Sequence, residues 1–188
     1  MDFVMNEPTK KIHPHKFTLW IAIGSIVMMF AGLTSAYIVK RNQPNWITFD
    51  LPLVFWYSTA IMLASSITIY FSQRSLKEKN MRAYRRFLII TTVLGMAFIL
   101  LQIIGFLQLR DAGFTLTKNV SISFLYIIVG LHAVHVLGGV MALWIMFFKA
   151  FSTKRKLYSA VPIDMMSTYW HFVDGLWIYL LVFLLMIR

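Results

Sequence analysis

Apolar residues come in long blocks along this chain, separated by short polar connections. Five stretches free of Lys and Arg lie at about Phe17–Val39, Leu51–Phe71, Phe87–Leu109, Val120–Phe148 and Met165–Ile187. Each supplies the roughly 20 residues that a membrane-crossing helix needs. None shows the short apolar–polar alternation of a barrel strand. At about 1.5 Å per residue the fourth stretch is longer than a bilayer requires, so it is expected to tilt or project. The pattern predicts an all-α, polytopic membrane bundle of five transmembrane helices over residues 17–188, preceded by a tail of residues 1–16. A cleavable signal peptide would begin its apolar core sooner and follow it with a small-residue cleavage site, so the first span is read as retained.

The breaks carry turn chemistry. Pro44-Asn45 interrupts after the first span, Asp50 and Pro52 mark a helix start, Gly113 lies in the third connection, and Pro162 with Asp164 opens the last helix. Trp20, Trp46, Tyr70, Tyr84 and Tyr158 fall near span ends, where amphipathic rings anchor a helix at the headgroups. Small residues recur at Gly32/Ala36 and Gly138/Ala142, a spacing that lets helices approach closely but is also common in membrane helices generally.

Composition agrees with the pattern. Hydrophobic residues make up 59% of the 188-residue chain and charged residues 13%, too apolar for an ordinary soluble domain. A net charge of +11 raises the question of nucleic acid. The basic residues, however, fill the connections and do not line one polar face, so they report topology. The tail (Lys10, Lys11, Lys16), the second connection (Arg74, Lys77, Lys79, Arg82, Arg85, Arg86) and the fourth (Lys149, Lys154, Arg155, Lys156) hold thirteen of the 18 basic residues. The positive-inside rule therefore predicts a cytoplasmic N-terminus and a periplasmic C-terminus. There is no cysteine, which removes disulfides, iron–sulfur clusters and thiolate metal sites.

Few ionisable side chains lie inside the spans: His132 and His135 in the fourth, His171 and Asp174 in the fifth, with Asp164 at the start of the fifth. Both pairs are spaced i, i+3 and so share a helix face. Such groups are costly in hydrocarbon unless turned inward and partnered. From the helix rise, His132 falls near the midplane, and His135, His171 and Asp174 about 10, 9 and 14 Å from the cytoplasmic edge. The four are expected to share one layer in the inner half of the membrane. Three readings compete for that layer: a haem or metal site, since paired histidines are common ligands; a proton or ion pathway, since histidine titrates near neutrality; and a structural fastening between helices. Each helix offers an i, i+3 pair in place of one well-separated axial ligand, and no broken helix or repeat is visible to alternate access. These facts favour the fastening. No nucleophile elbow, zinc-protease helix or phosphate-cradling loop is present.

Tyr169-Trp170-His171-Phe172-Val173-Asp174, followed by Trp177, closely resembles the last helix of subunit III of haem–copper terminal oxidases, the cytochrome c oxidase family. Gly130-Leu131-His132-Ala133-Val134-His135-Val136-Leu137-Gly138 is similar to that family's Gly-x-His-x-x-His-Val segment. Asp164 stands seven residues before His171, where the family commonly has a glutamate, and Leu63-Ala64-Ser65-Ser66 and Leu100-Leu101-Gln102 resemble weaker family signatures. The resemblance runs from Phe17 almost to the end, in a five-helix form shorter than seven-helix members.

The resemblance implies an accessory subunit of a respiratory oxidase in the bacterial inner membrane, with no haem or copper of its own. Those cofactors would lie in catalytic subunit I and in subunit II, its expected partners. It implies bound phospholipid, stability during turnover and support of proton uptake, and no nucleic-acid partner. His132, His135, Asp164, His171, Asp174 and Gln102 are the candidate lipid- or subunit-contact residues. Two departures stand out: Ile26 occupies the place of a first-helix glutamate, and Gly105 that of an acid three residues beyond Gln102. A role for a quinol oxidase or nitric oxide reductase stays open, as does, from another class, a small secondary transporter or channel.

Overall fold

The computed structural model describes residues 14–41, 52–115, 119–151 and 160–187. Within them are five helices: α1 Pro14–Lys40, α2 Val54–Lys77, α3 Met81–Asp111, α4 Val120–Phe151 and α5 Val161–Ile187. The shortest has 24 residues, about 36 Å at the α-helical rise, and therefore exceeds a hydrocarbon core of about 30 Å. All five are long and apolar enough to cross a membrane. Lys10, Lys11, Pro44, Asn45, Trp46, Asp50, Lys118, Lys154, Arg155, Lys156, Tyr158 and Arg188 lie outside the described residues.

Helix ends differ from the apolar runs where charged residues continue the helix. α3 starts six residues before its run because Asn80 caps it, its side chain accepting from the Ala83 N–H at 3.2 Å. That cap fuses directly to the end of α2. Lys79 takes a left-handed φ of 59°, the Asn80 N–H reaches Ser75 O at 2.9 Å and the Lys79 N–H reaches Leu76 O at 3.0 Å. This is a Schellman closure with lysine in a seat usually given to glycine. The same closure ends α3 around Gly113 (φ 87°), with the Phe114 N–H on Leu109 O at 3.0 Å. The Tyr126 hydroxyl then donates to the carbonyls of Phe106 and Phe114 at 3.3 and 3.1 Å, tying α4 to that turn.

Neighbouring helices pack as α2 with α3, α3 with α4, α4 with α5, α5 with α2, and α1 against both α4 and α5. Among the described residues α1 and α2 make no contact. α5 is the most buried helix and α1 the least. The centre of the bundle is Trp170, whose ring is wedged between two glycines on different helices. A Cβ at Gly95 of α3 would stand 2.8 Å from the ring, and one at Gly139 of α4 would stand 3.0 Å from it. The close approaches are thus at Gly95 and Gly139; Gly32 and Gly138, the small residues singled out by spacing, face open space. Trp20 and Tyr70 are exposed as anchors should be, at 62% and 52%. Tyr84 is not an anchor: it is 3% exposed and belongs to the core, because α3 extends past it and turns it toward the bundle.

Candidate functional site

The intramembrane polar side chains gather mainly in a seam between α2 and α5. On α2, Ser58-Thr59, Ser65-Ser66 and Ser72-Gln73 repeat every seven residues, which returns each pair to the same helix face. On α5, Asp164 and His171 repeat at the same interval, as do Trp170 and Trp177. The antiparallel helices mesh these repeats step for step. Trp177 Nε1 donates to Thr59 Oγ1 at 2.9 Å, and Trp170 Nε1 donates to Ser65 Oγ at 3.0 Å. Ser66 Oγ meets His171 Nδ1 at 2.6 Å, and Gln73 Nε2 donates to Asp164 Oδ1 at 2.7 Å. Ser167 Oγ donates to Gln73 Oε1 at 3.2 Å, and Lys77 Nζ stands 3.2 Å from Asp164 Oδ1. From α3, Gln102 Nε2 donates to Ser58 Oγ at 3.1 Å and extends the seam to a third helix.

Hydroxyls suit this work. Each can donate to a carbonyl of its own helix while its oxygen accepts across the seam, as Ser58 donates to Phe55 O (2.8 Å) and Ser65 to Met62 O (2.7 Å). They also leave room for the large α5 side chains to enter. Interhelical hydrogen bonds in membranes contribute about 0.6 kcal/mol each on average, so the seam works through their number and register. The Lys77–Asp164 ion pair is partly exposed and adds about 0–1 kcal/mol. Asp174 is 6% exposed, beside Ser66 and His171, and its Oδ1 has no hydrogen-bond partner among the described residues.

His132 occupies a different environment. It is fully buried, its ring stacked on Trp177 (centroids 5.1 Å, planes 27°) and met edge-on by Phe98 at 5.9 Å and Phe30 at 6.4 Å. Neither ring nitrogen has a hydrogen-bond partner among the described residues. A buried polar group left so costs about 1–3 kcal/mol. The four ionisable groups are therefore not one cluster. His171 and Asp174 share one face, which turns to Ser66 of α2, whereas His132 stacks on Trp177. His135 is half-buried, its Nδ1 on Leu131 O at 2.7 Å and its carbonyl accepting from the Tyr169 hydroxyl at 3.0 Å. Three aromatic rings, Phe30, Phe98 and Trp177, pack around His132. Among the described residues no three of His, Asp and Glu converge as a metal site.

The positions of the two departures are filled by apolar packing. Ile26 is half-buried against the core. A Cβ at Gly105 would already stand 3.2 Å from Phe55, whose ring stacks on Trp177 at 6.0 Å. A longer acidic side chain at 105 has no room while Phe55 holds that place. Ser58, Thr59 and Gln73 stand in no motif that the sequence singles out, and Ser65 and Ser66 only in the weaker Leu63–Ser66 signature. The seven-residue repeat of polar pairs on α2 is the signal that could have found them.

Known proteins match this chain over most of its length. A model of the family described as cytochrome c oxidase subunit III matches residues 13–187. The chain belongs to the cytochrome c oxidase subunit III family. It is 32% identical over 169 residues to cytochrome c oxidase subunit 3 of Bacillus subtilis (strain 168), covering 86% of this chain and 80% of that one. The corresponding protein of Bacillus sp. (strain PS3) is 30% identical with the same coverage. A probable cytochrome c oxidase subunit 3 of Mycobacterium bovis is 28% identical over 191 residues, covering 96% of this chain and 94% of that one. Family and spans together make it an integral protein of the bacterial inner membrane and an accessory subunit of a multi-subunit haem–copper terminal oxidase, an oxidoreductase complex.

Proposed function

We propose that this subunit III carries no cofactor and no catalytic residue, and that it preserves the working life of the complex by bracing catalytic subunit I, alongside subunit II. The observation that carries this reading is how the intramembrane polar groups are used. Asp164 engages Gln73 and Lys77, His171 engages Ser66, and Gln102 engages Ser58. They join helices and do not converge on a space where a reacting atom could sit. The positive-inside distribution supports a cytoplasmic N-terminus and a periplasmic C-terminus. That topology puts Asp164 and Gln73 near the cytoplasmic surface, where they would support proton uptake by the neighbouring subunit.

Phospholipid is the expected non-protein ligand. A cavity of about 790 Å³ opens between α1, α4 and α5, with Leu19, Ala142, Ile145, Met146 and Met165 among its walls. Its lining suits an acyl chain, since it offers methyl and thioether groups and almost no hydrogen-bonding atoms.

The role is tested by following oxygen uptake with time in the intact complex carrying Asp174→Asn or His171→Ala. The initial rate is expected to stay within about twofold of the parent, the range of about 0.4 kcal/mol in a barrier. The number of turnovers before inactivation, or the fraction of subunit III retained, is expected to fall severalfold. Immediate and complete loss of activity in a fully assembled variant complex would refute the proposal.

A further inference from the structure

One face of α5 is left open. Thr168, His171, Gly175, Ile178, Val182 and Met186 succeed one another at three- and four-residue intervals and are all exposed, forming a continuous stripe along the helix. The stripe lies between α1 and α2. His171 reaches Ser66 of α2 on one side, and the Tyr179 hydroxyl meets Thr34 Oγ1 of α1 at 3.1 Å on the other. Since α1 and α2 make no contact with each other among the described residues, α5 floors a groove whose walls they form. Toward its C-terminal end the stripe bears an open depression lined by α5 alone, by Ile178, Tyr179, Val182, Phe183, Met186 and Ile187.

We infer that this groove receives a transmembrane helix of the catalytic subunit, one that brings a hydrogen-bonding side chain or carbonyl opposite His171 and packs its backbone over Gly175. The inference rests on the accessory-subunit function proposed above.

Chemistry along the groove selects a helix over lipid tails. His171 spends Nδ1 on Ser66, and since the residue is exposed, Nε2 is the ring nitrogen left for a partner outside the seam. Acyl chains cannot satisfy that nitrogen, and an unpaired polar group against hydrocarbon is costly. One turn along, a Cβ at Gly175 would meet no heavy atom of this chain within 4 Å. The glycine relieves no crowding inside the subunit, and its open face admits close approach by a backbone from outside. A polar spot beside a small residue is how helices that cannot rely on the hydrophobic effect recognise each other in a membrane. The outward faces of α3 and α4 offer Leu100, Ile103, Val134 and Met141, apolar residues suited to lipid.

The chain has no cysteine, so a single introduced thiol is its only one, and a benzophenone maleimide can be placed at will. In native membranes of the intact complex, Ile178→Cys and Val182→Cys are expected to give adducts with the haem-carrying subunit, and Leu100→Cys and Val134→Cys are not. Adducts from Leu100 or Val134 with only lipid adducts from the groove would overturn the inference, as would no groove adduct at all in an intact complex; both leave the accessory-subunit reading standing. If the chain instead purifies free of any haem protein, that reading falls and the inference with it. Gly175→Leu supplies an independent measure. It should fold, having open space, while its retention by the haem-carrying subunit in detergent falls about tenfold, as expected when a close helix contact is blocked. Unchanged retention would contradict the inference.

Discussion

Trp170→Ala is expected to destabilise the bundle by about 3–5 kcal/mol, the usual cost of truncating a fully buried large aromatic. The indole touches three helices besides its own. It fills the notches at Gly95 of α3 and Gly139 of α4, and its Nε1 donates to Ser65 of α2 at 3.0 Å. Truncation therefore opens a cavity at the junction of four helices and removes a rung of the α2–α5 seam. Trp170→Phe should cost distinctly less, since a ring remains between the glycines while the hydrogen bond is lost. SDS titration of the detergent-solubilised protein, followed by near-ultraviolet circular dichroism, orders the three proteins. Equal stability of Trp170→Ala and the parent would mean that the ring is not wedged as described.

The second large effect is the reverse substitution, filling a notch. Gly95→Leu is expected to cost at least the roughly 1–3 kcal/mol typical of overpacking, because its first carbon alone would stand 2.8 Å from the Trp170 ring and 2.9 Å from Val140 Cγ2. The ring is rigid and enclosed, so relief requires α3 and α5 to move apart. Combining Gly95→Leu with Trp170→Ala makes the assignment specific. The leucine then occupies space vacated by the indole, and the double variant should be more stable than the two separate losses predict, by about 0.5–3 kcal/mol of coupling. Additive losses would place the two residues out of contact.

How far the sequence discloses this structure depends on whether the relevant signal is local. Hydropathy marks the five helices because hydrocarbon demands an uninterrupted apolar run, and all five runs lie within the observed helices apart from Leu51, which is outside the described residues, and Pro52 and Leu53, which precede α2. It does not mark the Met81–Arg86 start of α3 or the extension of α4 to Phe151, because a helix that projects from the membrane need not be apolar. The i, i+3 spacing of His171 and Asp174 fixes their common face but not the helix that face meets. The answer, Ser66, lies 105 residues away and looks like any other serine in a membrane span until the register of α2 against α5 is known. Depth from helix rise likewise fixes height but not azimuth, and so His132 and Asp174 could fall at similar depths yet meet different neighbours, Trp177 for one and Ser66 for the other. Gly95 and Gly139 carry no sequence mark that sets them apart from Gly32 and Gly138. What distinguishes them is the ring that arrives from α5.

The most direct test of the central claim is purification through an affinity tag on this chain from bacterial membranes in mild detergent, followed by a reduced-minus-oxidised spectrum and oxygen uptake on the eluate. An accessory oxidase subunit should bring with it a haem-containing catalytic partner that consumes oxygen, and the chain dissociated from that partner should show no Soret band. Recovery of a haem-free homo-oligomer, or of stoichiometric haem bound to this chain through His132 or His135, would contradict the account.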